Sequence, residues 1–347
     1  VILLNNMRQN NQPAKISDVA RIAGVSTATV SRVIHNNGHV NEDTRLRVEE
    51  AVARLGYQSR REPKKEAVEK VVLLLSGDVV NPFFAEVIRG TQTEMDLQRS
   101  VLNIAQISTD HVQLIRAVGQ TSPIGVILTG AAPFPELLAW REETKTPLVV
   151  VNYRCIQPGV SCILVDFKDT YTRATRHLID LGHRRIGYVG ISGSSEISQA
   201  RLQGYETALA EANIPFRPEL YITMPPEPHI HGGFQAASSF LALPEEERPT
   251  AVLTYNDFFA MGVMHAVRVH GLRVPEDVSV MGCDDIPMAA YANPPLTTIG
   301  LPKSRIGKLA VSMLWQMIQD PPDQMGNFSL MESPLVIRES TGPNTRD

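Results

Sequence analysis

Cysteine is scarce in this chain, with only Cys155, Cys162 and Cys283 among 347 residues. An odd count at spacings that match neither a paired framework nor a CxxC motif excludes a disulfide scaffold and a zinc ribbon. A reducing, cytoplasmic setting is the expectation. No apolar run approaches the roughly 18 residues that cross a bilayer, so no membrane partner is expected. ValIleLeuLeu at positions 1–4 is shorter than the core of about 7 residues that a signal peptide needs. Met7 is a candidate native start, and Val1–Asn6 are set aside from the fold. Catalytic signatures are missing too: there is no GxSxG elbow and no GxxxxGK phosphate loop, and GlyTyrValGlyIleSerGly at 187–193 misses the GxGxxG spacing. No enzyme, cofactor or metal is expected. With 23 Gly, 24 Pro and 43% apolar residues, what remains is an ordinary globular chain long enough for two or three domains.

The net charge of −4 conceals an asymmetry. Residues 1–66 carry 11 basic and 7 acidic side chains, a surplus of +4, so the rest of the chain sums to −8. A basic module joined to an acidic body suits a DNA reader attached to another function; a solvated basic face is the plainer alternative.

Within the basic module, apolar residues recur at helical spacing from Lys15 to Gly56, and punctuation cuts the run into three helices. Ser17 is a candidate cap for the first, Gly24 supplies its left-handed stop, and Ser26 can cap the second; Asn41 or Asp43 can cap the third. Val19, Ala20, Ala23, Val25, Val30, Val33 and Ile34 make a candidate core. A helix, a tight turn and a second helix opening on small polar residues form a helix-turn-helix, whose second helix can enter a major groove.

Past residue 66 the pattern becomes β-α-β-α. Apolar runs at 71–75, around Val101, and at 125–128, 148–151, 186–190, 251–254 and 278–282 read as buried parallel strands. Amphipathic segments near 83–98, 110–119, 135–142, 169–181, 198–212, 232–242 and 258–270 read as the intervening helices. About 270 residues of this order suit a two-lobed α/β body, with ligands beyond the carboxyl ends of the strands.

LysIleSerAspValAlaArgIleAlaGlyValSerThrAlaThrValSerArgValIle (15–34) closely resembles the DNA-binding headpiece of the lac-repressor (LacI/GalR) family of bacterial transcription regulators, and the likeness continues through Val40–Tyr57. AsnProPhePhe (81–84), LeuGlyHisArgArgIleGlyTyrValGly (181–190), ArgLeuGlnGlyTyr (201–205), AsnAsp (256–257), ValProGluAspValSerValMetGlyCysAspAsp (274–285) and ProProLeuThrThrIle (294–299) resemble the same family's effector domain, a periplasmic-binding-protein-like fold. The resemblance implies a homodimeric regulator, expected to be a repressor, of double-stranded operator DNA, controlled by a small metabolite of the sugar or nucleoside class. The competing reading is a cytoplasmic sensor with a vestigial headpiece.

By this resemblance Thr27, Ala28 and Arg32 read bases. A guanidinium can bond two acceptors on guanine, whereas Ala28 offers only a methyl contact to thymine. Ser26, Thr29, Ser31 and His39 would hold phosphates, with a local hydroxyl bond as the alternative for Thr29. In the body the resemblance implies that Arg201, Asn256 and Asp284 contact the effector, with Asn81, Phe83 and Phe84 at the rim. Adjacent Asp285 is expected to be structural, because neighbours on a strand point apart. The implied domains are an N-terminal segment 1–14 that is disordered or foreign to the native chain, a headpiece 15–58, a linker 59–69, an effector and dimerisation domain 70–341, and a tail 342–347.

Two stretches depart from the family pattern. The linker carries Pro63 inside the expected hinge helix and Glu66 about where a wedging Leu belongs, so a standard hinge helix is not expected. Its Arg60, Arg61, Lys64 and Lys65 fit phosphate contacts and a solvated tether equally well. In the body, Asp166–Phe167 replaces a common AspAsn, and the Pro-rich stretch at 221–228 replaces the usual stacking aromatic. His229 and His231 beside it fit a pocket edge, a plain loop or a metal pair, the last disfavoured without nearby Cys or carboxylates.

Overall fold

A computed structural model describes residues 14–34, 40–57, 69–76, 81–193, 195–225, 229–320 and 326–346. The chain divides into two compact units, Val1–Ala67 and Val68–Asp347. His39 and the linker residues Arg60, Arg61, Pro63, Lys64, Lys65 and Glu66 lie outside the described residues. Among those described, no helix is long and apolar enough to cross a membrane.

Among the described residues the first unit is three helices, α1 (Ile16–Ala23), α2 (Thr27–Ile34) and α3 (Glu42–Leu55). They close over Val19, Ala20, Ala23, Val30, Val33, Val48 and Ala51. α1 starts one residue before the expected cap: Lys15 holds the N-cap position and its N–H donates to Asp18 Oδ2 at 2.9 Å, so Ser17 lies within the first turn. Asp18 thus does the work assigned to Ser17, a carboxylate accepting at the positive helix end. Gly24, at φ +66°, donates its N–H to the Ala20 carbonyl and turns the chain left-handed into α2. Of the two caps open for α3, Asn41 takes the position, accepting from Thr44 N at 3.1 Å.

The second unit holds two six-stranded sheets. In the first lobe are β1 (Lys70–Leu75), α4 (Pro82–Leu97), β2 (Val101–Gln106), α5 (His111–Gln120), β3 (Gly125–Thr129), α6 (Pro135–Thr144), β4 (Leu148–Val151) and β5 (Val160–Val165). In the second are α7 (Phe167–Asp180), β6 (Ile186–Ile191), α8 (Glu196–Glu211), β7 (Tyr221–Met224), α9 (His229–Leu241), β8 (Ala251–Thr254), α10 (Asp257–Val269), β9 (Ser279–Asp284) and β10 (Thr297–Gly300). The chain then returns through α11 (Lys303–Gln319) and β11 (Phe328–Met331) to the first lobe and ends in the second at β12 (Leu335–Val336).

The strand orders, β11-β5-β4-β3-β1-β2 and β12-β10-β9-β8-β6-β7, are parallel except where β12 runs antiparallel to β10. Three connections therefore pass between the lobes: β5 to α7, β10 to α11, and β11 to β12. Each sheet reverses its winding once, between β1 and β3 and between β6 and β8, and an open α/β sheet parts its loops at such a point to form a crevice.

Buried aliphatic strands such as Val71–Leu75 and Leu148–Val151 drive the sheets together with their helices. Five strands, β5, β7, β10, β11 and β12, and α11 escaped the sequence reading. β7 and β11 have few buried positions, so they lack the continuous apolar run of a central strand. The first lobe depends on a close crossing of α11 over α4. A Cβ on Gly307 would stand 2.2 Å from the Val87 carbonyl oxygen and 2.6 Å from Thr91 N, and one on Gly90 would stand 2.1 Å from the Ser304 carbonyl oxygen. Backbone meets backbone here, so neither side can yield as a flexible side chain would. Gly307→Ala is expected to destabilise the protein by about 1–3 kcal/mol, measured as a lower urea midpoint at unchanged slope.

Candidate functional site

Both crevices open onto one cavity of about 450 Å3 between the lobes, a volume suited to a small organic molecule. The loop after β1 brings Ser76, the start of α4 brings Asn81, Phe83 and Phe84, and the ends of β3 and β4 bring Thr129 and Asn152. From the second lobe come Ser192 after β6, Arg201 from α8, Asn256 after β8 and Asp284 at the end of β9. All five effector positions from the sequence, Asn81, Phe83, Arg201, Asn256 and Asp284, thus border the same space.

Asn81 and Asn256 are also helix caps: Asn81 Oδ1 accepts from Phe83 N at 3.0 Å and Asn256 Oδ1 from Phe259 N at 3.0 Å. Capping fixes each side chain at the mouth of a helix. Phe83 and Phe84 meet edge to face, 5.2 Å between centroids, and both pack partly on the core.

Arg201 is 4% exposed. Its guanidinium carbon lies 4.4 Å from the Phe167 ring centre and 3.9 Å from that of Tyr255, positions in which ring faces attract a cation. Nη1 donates to the Tyr255 carbonyl and, at 3.3 Å, to Tyr171 Oη. Nε has no hydrogen-bond partner among the described residues. Phe167, which marked a departure from the family pattern, thereby forms one wall of the guanidinium's slot, while Asp166 caps α7 by accepting from Asp169 N at 2.9 Å. Tyr221, from the other departing stretch, stacks on Tyr188 within the second lobe, 5.9 Å between centroids.

Asp284 and Asp285 both have positive φ, 113° and 51°. Each such non-glycine residue costs about 1–3 kcal/mol and persists only where its surroundings hold it. The two side chains part: Asp284 lines the cavity, and Asp285 Oδ1 accepts from Arg338 Nη2 at 2.7 Å.

Sequence reasoning missed Thr129 and Asn152. Among the described residues, Thr129 Oγ1 and Asn152 Oδ1 are buried without a hydrogen-bond partner, as is Arg201 Nε, and all three residues border the cavity. A buried polar group left unpaired is costly, so such atoms mark where a ligand can bond. The available signal was position: both residues end or follow parallel strands.

In the first unit, Ser26, Thr27, Ala28 and Arg32 are exposed, and Ala28 and Arg32 lie one turn apart on α2. Thr29 and Ser31 are half-buried. Ser26 Oγ accepts from Thr29 N at 3.1 Å and lies 2.9 Å from Thr29 Oγ1, the local hydroxyl bond weighed against a phosphate contact. Among the described residues no cluster of three or more His, Cys, Asp or Glu side chains could hold a metal.

Comparison with known proteins covers both units. Residues 15–59 match bacterial regulatory proteins of the lacI family, and residues 175–341 match a periplasmic binding protein-like domain. The HTH-type transcriptional repressor PurR of Aliivibrio fischeri (strain MJ11) is 33% identical over 339 residues, spanning 94% of this chain and 98% of that protein. A lac repressor dimer solved bound to operator and the anti-inducer ONPF is 27% identical with a TM-score of 0.69, covering 95% of this chain and 100% of that one. A LacI family transcriptional regulator from Enterococcus faecium, solved with bound ribose, is 26% identical with a TM-score of 0.71, covering 79% of this chain and 99% of that one.

Asp257, in the first turn of α10, sits under the cavity floor: its carboxylate accepts from Ile286 N at 2.8 Å and from the Thr298 hydroxyl. Burial pushes the carboxyls of both Asp257 and Asp284 above the ordinary range; for Asp257 the neighbouring Asp284 adds to the rise, whereas Arg201 and Lys303 oppose it for Asp284. A carboxyl with a raised folded-state pKa holds its proton better when folded, so its contribution to stability is present at low pH. That contribution falls as pH rises from about 4, the unfolded value, through the folded one. Asp257→Asn is therefore expected to flatten the decline of unfolding free energy above pH ~4, measured by urea titration across pH.

Proposed function

The chain belongs to the lacI family of bacterial regulatory proteins, and from that premise we propose that it is a homodimeric repressor of a roughly palindromic operator, governed by a sugar or nucleoside held between the lobes of its second unit. The observation that carries the reading is the pairing of an exposed Thr27–Ala28–Arg32 helix face in a basic module with a cavity between the lobes of an acidic one, bordered by Arg201, Asn256 and Asp284.

On the DNA side, Thr27, Ala28 and Arg32 contact base edges, while Ser26, Thr29, Ser31 and His39 fix register on phosphates. The lac repressor dimer on its operator supports both the operator and the dimer. Two-fold symmetry then repeats the reading helix on two half-sites. In the cavity, Asp284 and Asn152 accept from hydroxyls, Arg201 Nε donates to one, and Phe83 covers an apolar face. Hydroxyl groups both donate and accept, so a sugar or the ribose of a nucleoside satisfies these unlike atoms together. The ribose in the Enterococcus faecium regulator supports that class. The effector acts by favouring one lobe arrangement, and can shift that equilibrium only by its differential affinity for the two states. Regulation rather than catalysis is the role, in keeping with a relative named as a transcriptional repressor.

Two experiments test this. Selection of bound sequences from random DNA, followed by salt titration, is expected to return a symmetric site; Arg32→Ala should cost about 1–3 kcal/mol on it and relax preference at one base pair per half-site. No binding at low salt would return the headpiece to a vestigial role. In thermal-shift measurements with D-ribose, other pentoses and hexoses, and adenosine, at least one compound should raise Tm for the wild type and not for Asp284→Ala; no shift with any of them overturns the effector class.

A further inference from the structure

Lys303 is the first residue of α11, just past the β10–α11 connection, and is 8% exposed. From there α11 belongs to the first lobe: Gly307 lies on the backbone of α4, and Ile306, Ala310, Val311 and Leu314 pack into the core beneath β3 and β4. The side chain of Lys303 runs the other way. Its Nζ donates to the Asp284 carbonyl and, at 2.9 Å, to the Asp285 carbonyl, both at the end of β9 in the second lobe.

We propose that Lys303 is an inter-lobe positioning residue, which aims the Asp284 carboxylate into the cavity only in the lobe arrangement that lets one ammonium reach two successive carbonyls. This rests on the reading of Asp284 as an effector contact. The physical case has three parts. A peptide pair with both φ values positive does not hold that shape unaided. Two adjacent carbonyls converging on one cation need such a turned backbone, because along an extended strand they point to opposite sides. Of the three N–H donors of this buried ammonium, two are satisfied only by keeping both carbonyls. Rotation of the first lobe about the connections carries α11 and Nζ with it, so the carbonyls lose their donor and Asp284 loses its aim. Arg338, which anchors Asp285 from within the second lobe, has no such dependence. The same ammonium also lowers the Asp284 carboxyl against the effect of burial.

The test is made on the full chain without any ligand, so its outcome is separate from that of the effector reading. Spin labels at Arg116→Cys on α5 and Gln203→Cys on α8, both exposed sites, report the inter-lobe distance; the three native cysteines are buried. Labelled chain diluted into excess unlabelled chain leaves only intrachain distances to be read. Lys303→Met is expected to broaden or shift the distance distribution, and Lys303→Arg to restore it. If Lys303→Met does not fold, Lys303→Gln is read in its place. An unchanged distribution in the neutral variant overturns the proposal, and so does an equal shift in Lys303→Arg, which would trace the effect to packing and not to the cation.

Discussion

A guanidinium held away from water organises the cleft. Arg201 is 4% exposed, and burial alone works against its charge, but Tyr171, Tyr255, Cys283 and Asp284 around it more than compensate, so it stays cationic. Much of the second lobe's inner surface follows from keeping that charge. Phe167 and Tyr255 wall the group with ring faces, the Tyr255 carbonyl and Tyr171 hydroxyl accept from Nη1, and Tyr171 in turn donates to the Tyr255 carbonyl at 2.9 Å. With those bonds made, Nε is left over. Nε is thus a preset donor on the cavity, fixed in direction, with the Asp284 carboxyl and the Asn152 carbonyl oxygen among the acceptors bordering the same space. Preset groups cost a ligand less to engage than mobile ones.

Opposite the cation stand two carboxyls whose burial disfavours ionisation. Asp257 acts within the fold, tying α10 to β10 and to the turn after β9 through Thr298 and Ile286. Asp284 turns into the cavity on strained backbone. The division of labour between the neighbours Asp284 and Asp285 is similar, one facing the cleft and the other locked to Arg338. Asp284, which borders the cavity, thus stands beside two carboxyls committed to the fold, Asp257 and Asp285.

Three connections join the lobes, and groups from the loops and elements around them reach the cleft. Phe167 follows the first, Lys303 follows the second, and Arg173 from α7 donates to the Ser333 carbonyl on the third at 3.0 Å. Of these, Phe167 also lines the cavity, so the first connection and the cleft share a residue. The headpiece has its own small core and its own charge, +4 against −8 for the remainder, so the two units differ in charge as well as in fold.

Much of this was legible in the chain itself. Helical spacing with Gly24 as punctuation specified the headpiece, because a left-handed stop and a two-residue connection leave few alternatives. Apolar runs such as 71–75 and 148–151 specified parallel strands, since only a strand covered on both faces is apolar throughout. Ser17 was misjudged because Asp18 competes for the same orphan N–H groups and carries the charge. The edge strands and α11 were missed because their apolar positions are few or are shared with another element's core. The resemblance to the family's effector domain pointed to Arg201, Asn256 and Asp284, all of which border the cavity. What only the tertiary structure decided is which atoms remain unpaired. Thr129 and Asn152 are unremarkable in sequence, and only the apposition of two distant crevices places their unpaired atoms on one cavity. Lys303 reads as a solvent-facing lysine until α11 is seen to lie in one lobe while its ammonium bonds the other. Local patterns fix what a segment becomes, whereas pairing between segments a hundred residues apart depends on packing that no local pattern encodes.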